Sequence, residues 1–227
     1  MPDQVPKKIT ITNGGPYRVE EGVPISDQDG QPIATKGDYF LCRCGGSKSK
    51  PFCDGTHKSN NFNGQEFASR DTADERRDVF VGDGVAIYDD RSRCAHAGNC
   101  TAHLASTFKL GVEPWIDPTG ASAEDIARVI KTCPSGALSY ASEPGGDTVE
   151  DSEGPMVVVP PDAPYATRGV QIVAGDSSLY DLRERQTLCR CGGSRNKPFC
   201  DGTHWFIGFK HQMGDENSVK QSDSDDS

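Results

Sequence analysis

The chain of 227 residues predicts an α+β architecture in which two small β-rich units flank a third block that mixes strand and helix. Three observations predict it. The stretch Leu41 to His57, LCRCGGSKSKPFCDGTH, returns at Leu188 to His204 as LCRCGGSRNKPFCDGTH, altered only from Lys48 to Arg195 and from Ser49 to Asn196. Short runs of β-branched and aromatic residues, separated by glycine-rich and acidic turns, lead into each copy. Between the copies lies a block with one amphipathic helical pattern.

Hydrophobic residues make up only 34% of the sequence, against 25 glycines and 15 prolines, and mean hydropathy is −0.62. Little apolar mass is available for a large core, so small units stapled by metal are expected. Nine cysteines fall at positions 42, 44, 53, 94, 100, 133, 189, 191 and 200. An odd number without a secretory signal argues against a disulfide framework and for metal ligation in a reducing compartment. The opening MPDQVPKKITITNGG lacks the apolar centre of a signal peptide and, with an aspartate and no arginine, suits a transit peptide poorly. No apolar run is long enough to span a bilayer. The expectation is a cytoplasmic protein that does not act in a membrane. A net charge of −10 and an isoelectric point near 4.9 disfavour nucleic acid and anionic lipid, which need a phosphate-neutralising surface. The acidity serves solubility or docking onto a basic face of a redox partner.

In chain order, Ile9 and Ile11 alternate with threonines, and Tyr17-Arg18-Val19 and Tyr39-Phe40-Leu41 read as further strands. Asn13-Gly14-Gly15-Pro16 and Asp27-Gln28-Asp29-Gly30 are turn chemistry. Lys58 to Asn63 is expected to continue a short helix, and Asp71 to Arg77 to form a polar boundary. In the middle block, Val85-Ala86-Ile87-Tyr88 reads as a strand, Cys94 and Cys100 as loop residues, and Asp117-Pro118-Thr119-Gly120 as a turn. Ser122-Ala123-Glu124-Asp125 opens a helix in capping-box fashion, with Ile126, Val129 and Ile130 on one face. Pro134 forces the chain out of helix just after Cys133. Beyond the linker Ser142 to Gly154, strands are expected at Met156 to Val159, Val170 to Val173 and Thr187-Leu188. The units are therefore 1–70, 78–142 and 154–213, followed by an acidic tail, 214–227, expected to be disordered.

The repeated spacing is Cys, one residue, Cys, eight residues, Cys, three residues, His. Residues two apart on a strand share a face, so Cys42 and Cys44 leave the strand side by side and can bind one iron, with Cys53 and His57 supplying the other pair. If Asp54 caps a helical turn, its carboxylate accepts a backbone N–H and His57 falls in the first turn, back toward Cys53. Gly45, Gly46 and Gly55 permit the tight backbone that must surround a cluster. Ligand type alone leaves zinc open, because three thiolates and an imidazole also suit a tetrahedral zinc ion.

Both copies, through the Cys-Asp-Gly-Thr-His ending and including Ser47, Ser194, Pro51 and Pro198, resemble the CDGSH (NEET-type) iron–sulfur family. The resemblance implies one [2Fe-2S] cluster on Cys42, Cys44, Cys53 and His57, and another on Cys189, Cys191, Cys200 and His204. In that family the motifs occur in pairs, across a homodimer or within one chain, which implies an internal pseudo-dimer in a monomer here. Histidine in place of a fourth thiolate leaves the oxidised site at a net charge of about −1, so its midpoint should lie above the plant-type value of about −400 mV, toward the Rieske range. Arg43, Arg190 and the nearby lysines either favour the reduced state or are simply solvated surface cations. A proton competes with iron for the histidine nitrogen, so mild acid should release these clusters.

In the middle block, Cys94 and Cys100 enclose Ala95-His96-Ala97-Gly98-Asn99, and Cys133-Pro134 follows the helix. A bacterial ferredoxin run would carry cysteine where Ala97 stands. The block resembles the divergent single-cluster ferredoxins, which implies a ferredoxin-like α+β domain. Three thiolates imply a [3Fe-4S] cluster, or a [4Fe-4S] cluster whose fourth iron takes water or another side chain; His96 lies beside the vacant position. The plainer reading is a fold that has lost its cluster and keeps Cys94, Cys100 and Cys133 as buried thiols. His103 is expected on a helix surface, and His211 has no partner cysteines.

No nucleophile–base pair, phosphate loop or dinucleotide fingerprint occurs. The expected function is non-enzymatic electron transfer with an unidentified redox partner protein. One alternative is a cluster donor to an apo-protein or a redox or iron sensor. Another is a structural zinc protein.

Overall fold

The computed structural model describes residues 6–211, so the expected disorder of 214–227 lies outside the described residues. The N-terminal segment forms β1 (Lys8–Ile11), β2 (Tyr17–Val19), β3 (Ile25–Asp27) and β4 (Tyr39–Leu41). Ile9 and Ile11 point inward while Lys8 and Thr10 are half exposed, the alternation expected of a strand with one covered face. A four-residue helix, α1 (Ala73–Arg76), precedes the middle block of β5 (Asp78–Gly82), β6 (Val85–Asp89), α2 (Asn99–His103), α3 (Ala123–Lys131) and β7 (Leu138–Ala141). The C-terminal segment supplies β8 (Met156–Val159), β9 (Tyr165–Arg168), β10 (Gln171–Val173), β11 (Arg185–Leu188) and α4 (Thr203–Phe206).

The two β-rich segments do not build separate sheets. One sheet runs β10-β1-β2-β4 and the other β11-β9-β8-β3, so each segment lends its third strand to the other's sheet. Both exchanged strands pair in parallel, Ile9 opposite Ile172 and Ile25 opposite Val157. Parallel neighbours require a long crossover, and the whole middle block lies within it. The inward faces merge into one core containing Ile9, Ile11, Tyr17 and Leu41 together with Val157, Tyr165, Ile172 and Leu188. At its centre Tyr17 and Tyr165 meet edge to face, ring centroids 6.2 Å apart.

The middle block has its own antiparallel sheet, β5-β6-β7, covered by the buried face of α3. Every residue of the central strand β6 is buried. Ser122 caps α3 by accepting from the Asp125 N–H at 3.1 Å and donates its hydroxyl to the Asp125 carboxylate at 2.8 Å. Ile126, Val129 and Ile130 pack with Val85, Ile87, Phe108 and Leu138.

Two local expectations are corrected, and the polar boundary takes a local structure. Only a 3₁₀ turn, Thr56–Lys58, follows the first motif; the Asn-rich run beyond it has weak helix propensity, and Asn61 takes a left-handed φ of 53°. The boundary 71–77 contains α1, whose Thr72 and Glu75 form a capping box. Cys100 belongs to α2 rather than to a loop. His103, the last residue of α2, is exposed as expected.

Candidate metal centres

Each copy of the motif is closed by its own side chains. Strand β4 delivers Cys42, whose N–H donates to the Pro51 carbonyl at 2.8 Å, while the Cys53 N–H donates to Phe40 at 2.8 Å. The Ser47 hydroxyl donates to the Phe52 carbonyl at 2.7 Å and the Lys50 ammonium to the Ser47 carbonyl at 2.6 Å. The second copy repeats these bonds through Ser194 to Phe199 (2.7 Å) and Lys197 to Ser194 (2.6 Å). Asp54 accepts from the Lys48 N–H at 2.8 Å and the Thr56 N–H at 3.0 Å, holding the turn that carries His57. Asp201 does the same for Arg195 and Thr203, again at 2.8 and 3.0 Å. Burial pushes the Asp54 carboxyl up, but the bonds from Thr56 and Lys48 outweigh it and bring it down to about 2.

The candidate ligands gather as pairs. Cys42 and Cys44 sulfurs are 3.8 Å apart and Cys189 and Cys191 sulfurs 3.9 Å, the separation of two thiolates on one tetrahedral metal with bonds of about 2.3 Å. Cys53 Sγ faces His57 Nδ1 at 3.4 Å, and Cys200 Sγ faces His204 Nδ1 at 3.3 Å. Among the described residues no three His, Cys, Asp or Glu side chains close around a point as one metal ion requires. Backbone N–H groups of Gly46, Gly55, Gly193 and Gly202 reach Cys44, Cys53, Cys191 and Cys200, each at 3.4 Å. Such donors favour thiolate over thiol. Paired thiols and N–H donors to sulfur fit iron–sulfur ligation.

Burial acts the other way on most of these thiols. It pushes Cys42 up to about 11, Cys200 and Cys94 up to about 12 and 11, and Cys53 and Cys100 upward. Without metal they hold their protons at neutral pH, so loading releases protons and is favoured as pH rises.

Arg43 and Arg190 are not surface cations, for each is 1% exposed. With the flanking cysteines on one side of the chain, the arginine between them points to the other, into backbone carbonyls. Arg43 donates to Gly15, Gly64 and Thr12 at 2.8, 2.9 and 3.2 Å. Arg190 donates to Pro160 at 3.0 Å and contacts the imidazole of His211.

The copies differ in exposure. His204 is 4% exposed, with the Trp205 ring 4.8 Å away. His57 is half buried, and its motif continues into Lys58-Ser59-Asn60.

In the middle block the left-handed His96 (φ 54°) and Gly98 (φ 80°) fold the loop that follows Cys94. Cys94, Cys100 and Cys133 line one cavity of about 630 Å³ with His96 and Ala97. The charges of Cys100 and Cys133 add to burial in raising Cys94. The His96 N–H donates to Cys94 Sγ at 3.4 Å, and its side chain lies against Gly202.

Two groups of residues escaped the sequence reading. The Tyr17 hydroxyl donates to the Cys189 and Pro198 carbonyls, both at 2.9 Å. The Tyr165 hydroxyl donates to Cys42 and Pro51 at 3.0 and 2.9 Å. Aligning the strands ahead of each motif could have found this pair. Arg185 donates to the Cys133 carbonyl at 2.6 Å and pairs with Glu150 at 2.7 Å; no local signal marks it.

A family model described as an iron-binding zinc finger of CDGSH type matches residues 14–58 and 153–205. The chain belongs to the CDGSH family. Between its two CDGSH regions, a model described as a divergent 4Fe-4S mono-cluster matches residues 80–143. The uncharacterized protein YjdI of Escherichia coli K12 is similar, 38% identical over 61 residues that cover 27% of this chain and 80% of that protein. YjdI of Escherichia coli O157:H7 gives the same figures. No solved structure matches. Iron–sulfur binding at the CDGSH motifs and in the middle block follows from the two family matches. Among the described residues no helix is long and apolar enough to cross a membrane.

Proposed function

We propose that this CDGSH protein is a cytoplasmic electron carrier rather than an enzyme. It would hold a [2Fe-2S] cluster at each Cys₃His site and a [3Fe-4S] or [4Fe-4S] cluster on Cys94, Cys100 and Cys133. One observation carries the reading. The two CDGSH loops abut, so that a Cβ built on Gly192 would lie 2.6 Å from the Cys44 carbonyl oxygen. The exchanged strands and the reciprocal tyrosines support an internal pseudo-dimer. When bound, the clusters supply one-electron chemistry. The protein's own groups do the rest: paired thiolates and imidazoles hold iron, glycine N–H groups stabilise sulfur charge, and the shared core keeps water from Cys42 and Cys189.

Metal analysis tests this, with about seven or eight irons per chain expected and little zinc. Stoichiometric zinc would overturn it. A second reading, delivery of the N-terminal cluster to an apo-protein, is favoured by the half-buried Cys44, Cys53 and His57. Mixing with an apo-ferredoxin separates the two: cluster movement supports delivery, and fast electron exchange with clusters in place supports the carrier.

A further inference from the structure

Sequence order places the middle block between the CDGSH motifs, but contacts in space run differently. The loop after Cys94 sits on the C-terminal CDGSH site. A Cβ built on Gly202, two residues after the ligand Cys200, would meet His96 Cδ2 at 3.0 Å and His96 Cβ at 3.1 Å. The Asn196 side chain donates to the Ser92 carbonyl at 2.6 Å. The Arg93 guanidinium lies 3.4 Å from the centre of the Phe199 ring, beside Cys200. A small cavity of about 170 Å³ is walled jointly by Ala95, Ala97, Pro134, His204 and Trp205. Residues next to the middle-site ligands Cys94 and Cys133 therefore share a wall with the ligand His204.

On its other side the C-terminal loop meets the N-terminal one. Gly192 lies on the Cys44 carbonyl and Gly45 on the Cys191 carbonyl. The C-terminal CDGSH loop thus touches both the middle loop and the N-terminal loop.

Resting on the electron-carrier reading, we propose that the three sites form a series ordered middle, C-terminal, N-terminal, with the His96–Gly202 contact as the first junction and the N-terminal site as the outer terminus. The sealed His204 and half-exposed His57 suit an internal station and an outer end. In each transfer one electron leaves a ferrous ion, which becomes ferric, and reduces one ferric ion at the next site. No bond forms or breaks. The first electron comes from an external one-electron reductant, dithionite in the test below, and the order holds for flow in either direction.

The test uses the full chain with its clusters. Electron paramagnetic resonance of the dithionite-reduced protein reads how far neighbouring spins accelerate relaxation of the middle cluster. Cys53→Ser, which disables the N-terminal site, should leave that acceleration in place, and Cys200→Ser should abolish it. The reverse pattern, or equal loss in both, overturns the order. Because Cys200→Ser could perturb folding, a second pair of variants keeps every cluster. His204→Cys adds a negative charge at the C-terminal site and should lower the midpoint of the middle cluster, whereas His57→Cys should shift it less. Equal shifts, or a larger one from His57→Cys, overturn the order while leaving the carrier reading standing. Absence of any middle-cluster signal in the unmodified protein, both as purified and after dithionite, overturns both.

Discussion

The hydroxyl of Tyr17, on the N-terminal strand β2, donates to the carbonyl of Cys189 in the C-terminal binding loop at 2.9 Å. Tyr165 returns the bond to Cys42 at 3.0 Å. Each half therefore braces the first motif cysteine of the other. Tyr17→Phe should cost about 1–3 kcal/mol, because it removes the donor from buried carbonyls, and should loosen the C-terminal cluster more than the N-terminal one. Tyr165→Phe should reverse the preference. Denaturant midpoints and the rate of iron release to a chelator, followed separately for each site, check both outcomes.

The close approach of the two loops requires glycine. Gly192 combines a φ of 80° with a carbonyl 2.6 Å from where a Cβ would stand. Gly55 has a φ of 87° but open space around that position. Gly55→Ala should cost about 1 kcal/mol, the conformational penalty alone. Gly192→Ala adds a clash with backbone that cannot move without parting the loops, so its thermal midpoint should fall clearly further.

Asp90 joins the middle block to both flanks. It accepts from Arg76 at 2.8 Å and from Arg183, with its side chain 3% exposed. Burial pushes its carboxyl up, but hydrogen bonds from Arg76 and Ser92 and the charges of Arg183 and Arg76 outweigh this and hold it below the ordinary value. A depressed folded pKa stabilises fully above the unfolded value of about 3.9, and the contribution is lost as pH falls through the folded value. Stability measured in urea should therefore drop below about pH 4. Asp90→Asn should remove that part of the dependence and cost about 3–5 kcal/mol at pH 7, since two guanidinium charges lose their buried partner.

A [2Fe-2S] cluster with one imidazole ligand carries less negative charge than an all-thiolate one. Redox titration of the CDGSH sites should give midpoints above about −400 mV. The buried Arg43 and Arg190 act in the same direction, since an unsolvated cation favours the added electron. Values at or below that level would count against the ligand set proposed for these sites.

Much of the candidate site was legible because it is local. The two motifs place their candidate ligands within 17 residues each, Leu41 to His57 and Leu188 to His204, and the sulfur and nitrogen pairs form where period-two alternation and the Asp54 turn put them. Helix α3 was legible from Ser122 and the Ile126, Val129, Ile130 face. Strands β3, β5, β7 and β9 were not. β3 pairs with residues beyond the middle block, and the inward alternation of β9 rests on Tyr165 and Thr167 alone. The alternative of solvated surface cations stayed open for Arg43 and Arg190 because the carbonyls that surround Arg43, from Thr12, Gly15 and Gly64, are distant in sequence.

The sequence by itself wrote the Cys₃His motif twice and placed Cys94, Cys100 and Cys133 between the copies without a fourth thiol. Only the tertiary structure decided that the halves exchange strands, that each tyrosine braces the opposite loop, and that the middle loop rests on Gly202. The physical reason is range. Ligand spacing follows from backbone geometry over a few residues, whereas which loop lies beside which depends on burying Ile9, Ile172, Ile25 and Val157 in one core, a choice that spans the whole chain.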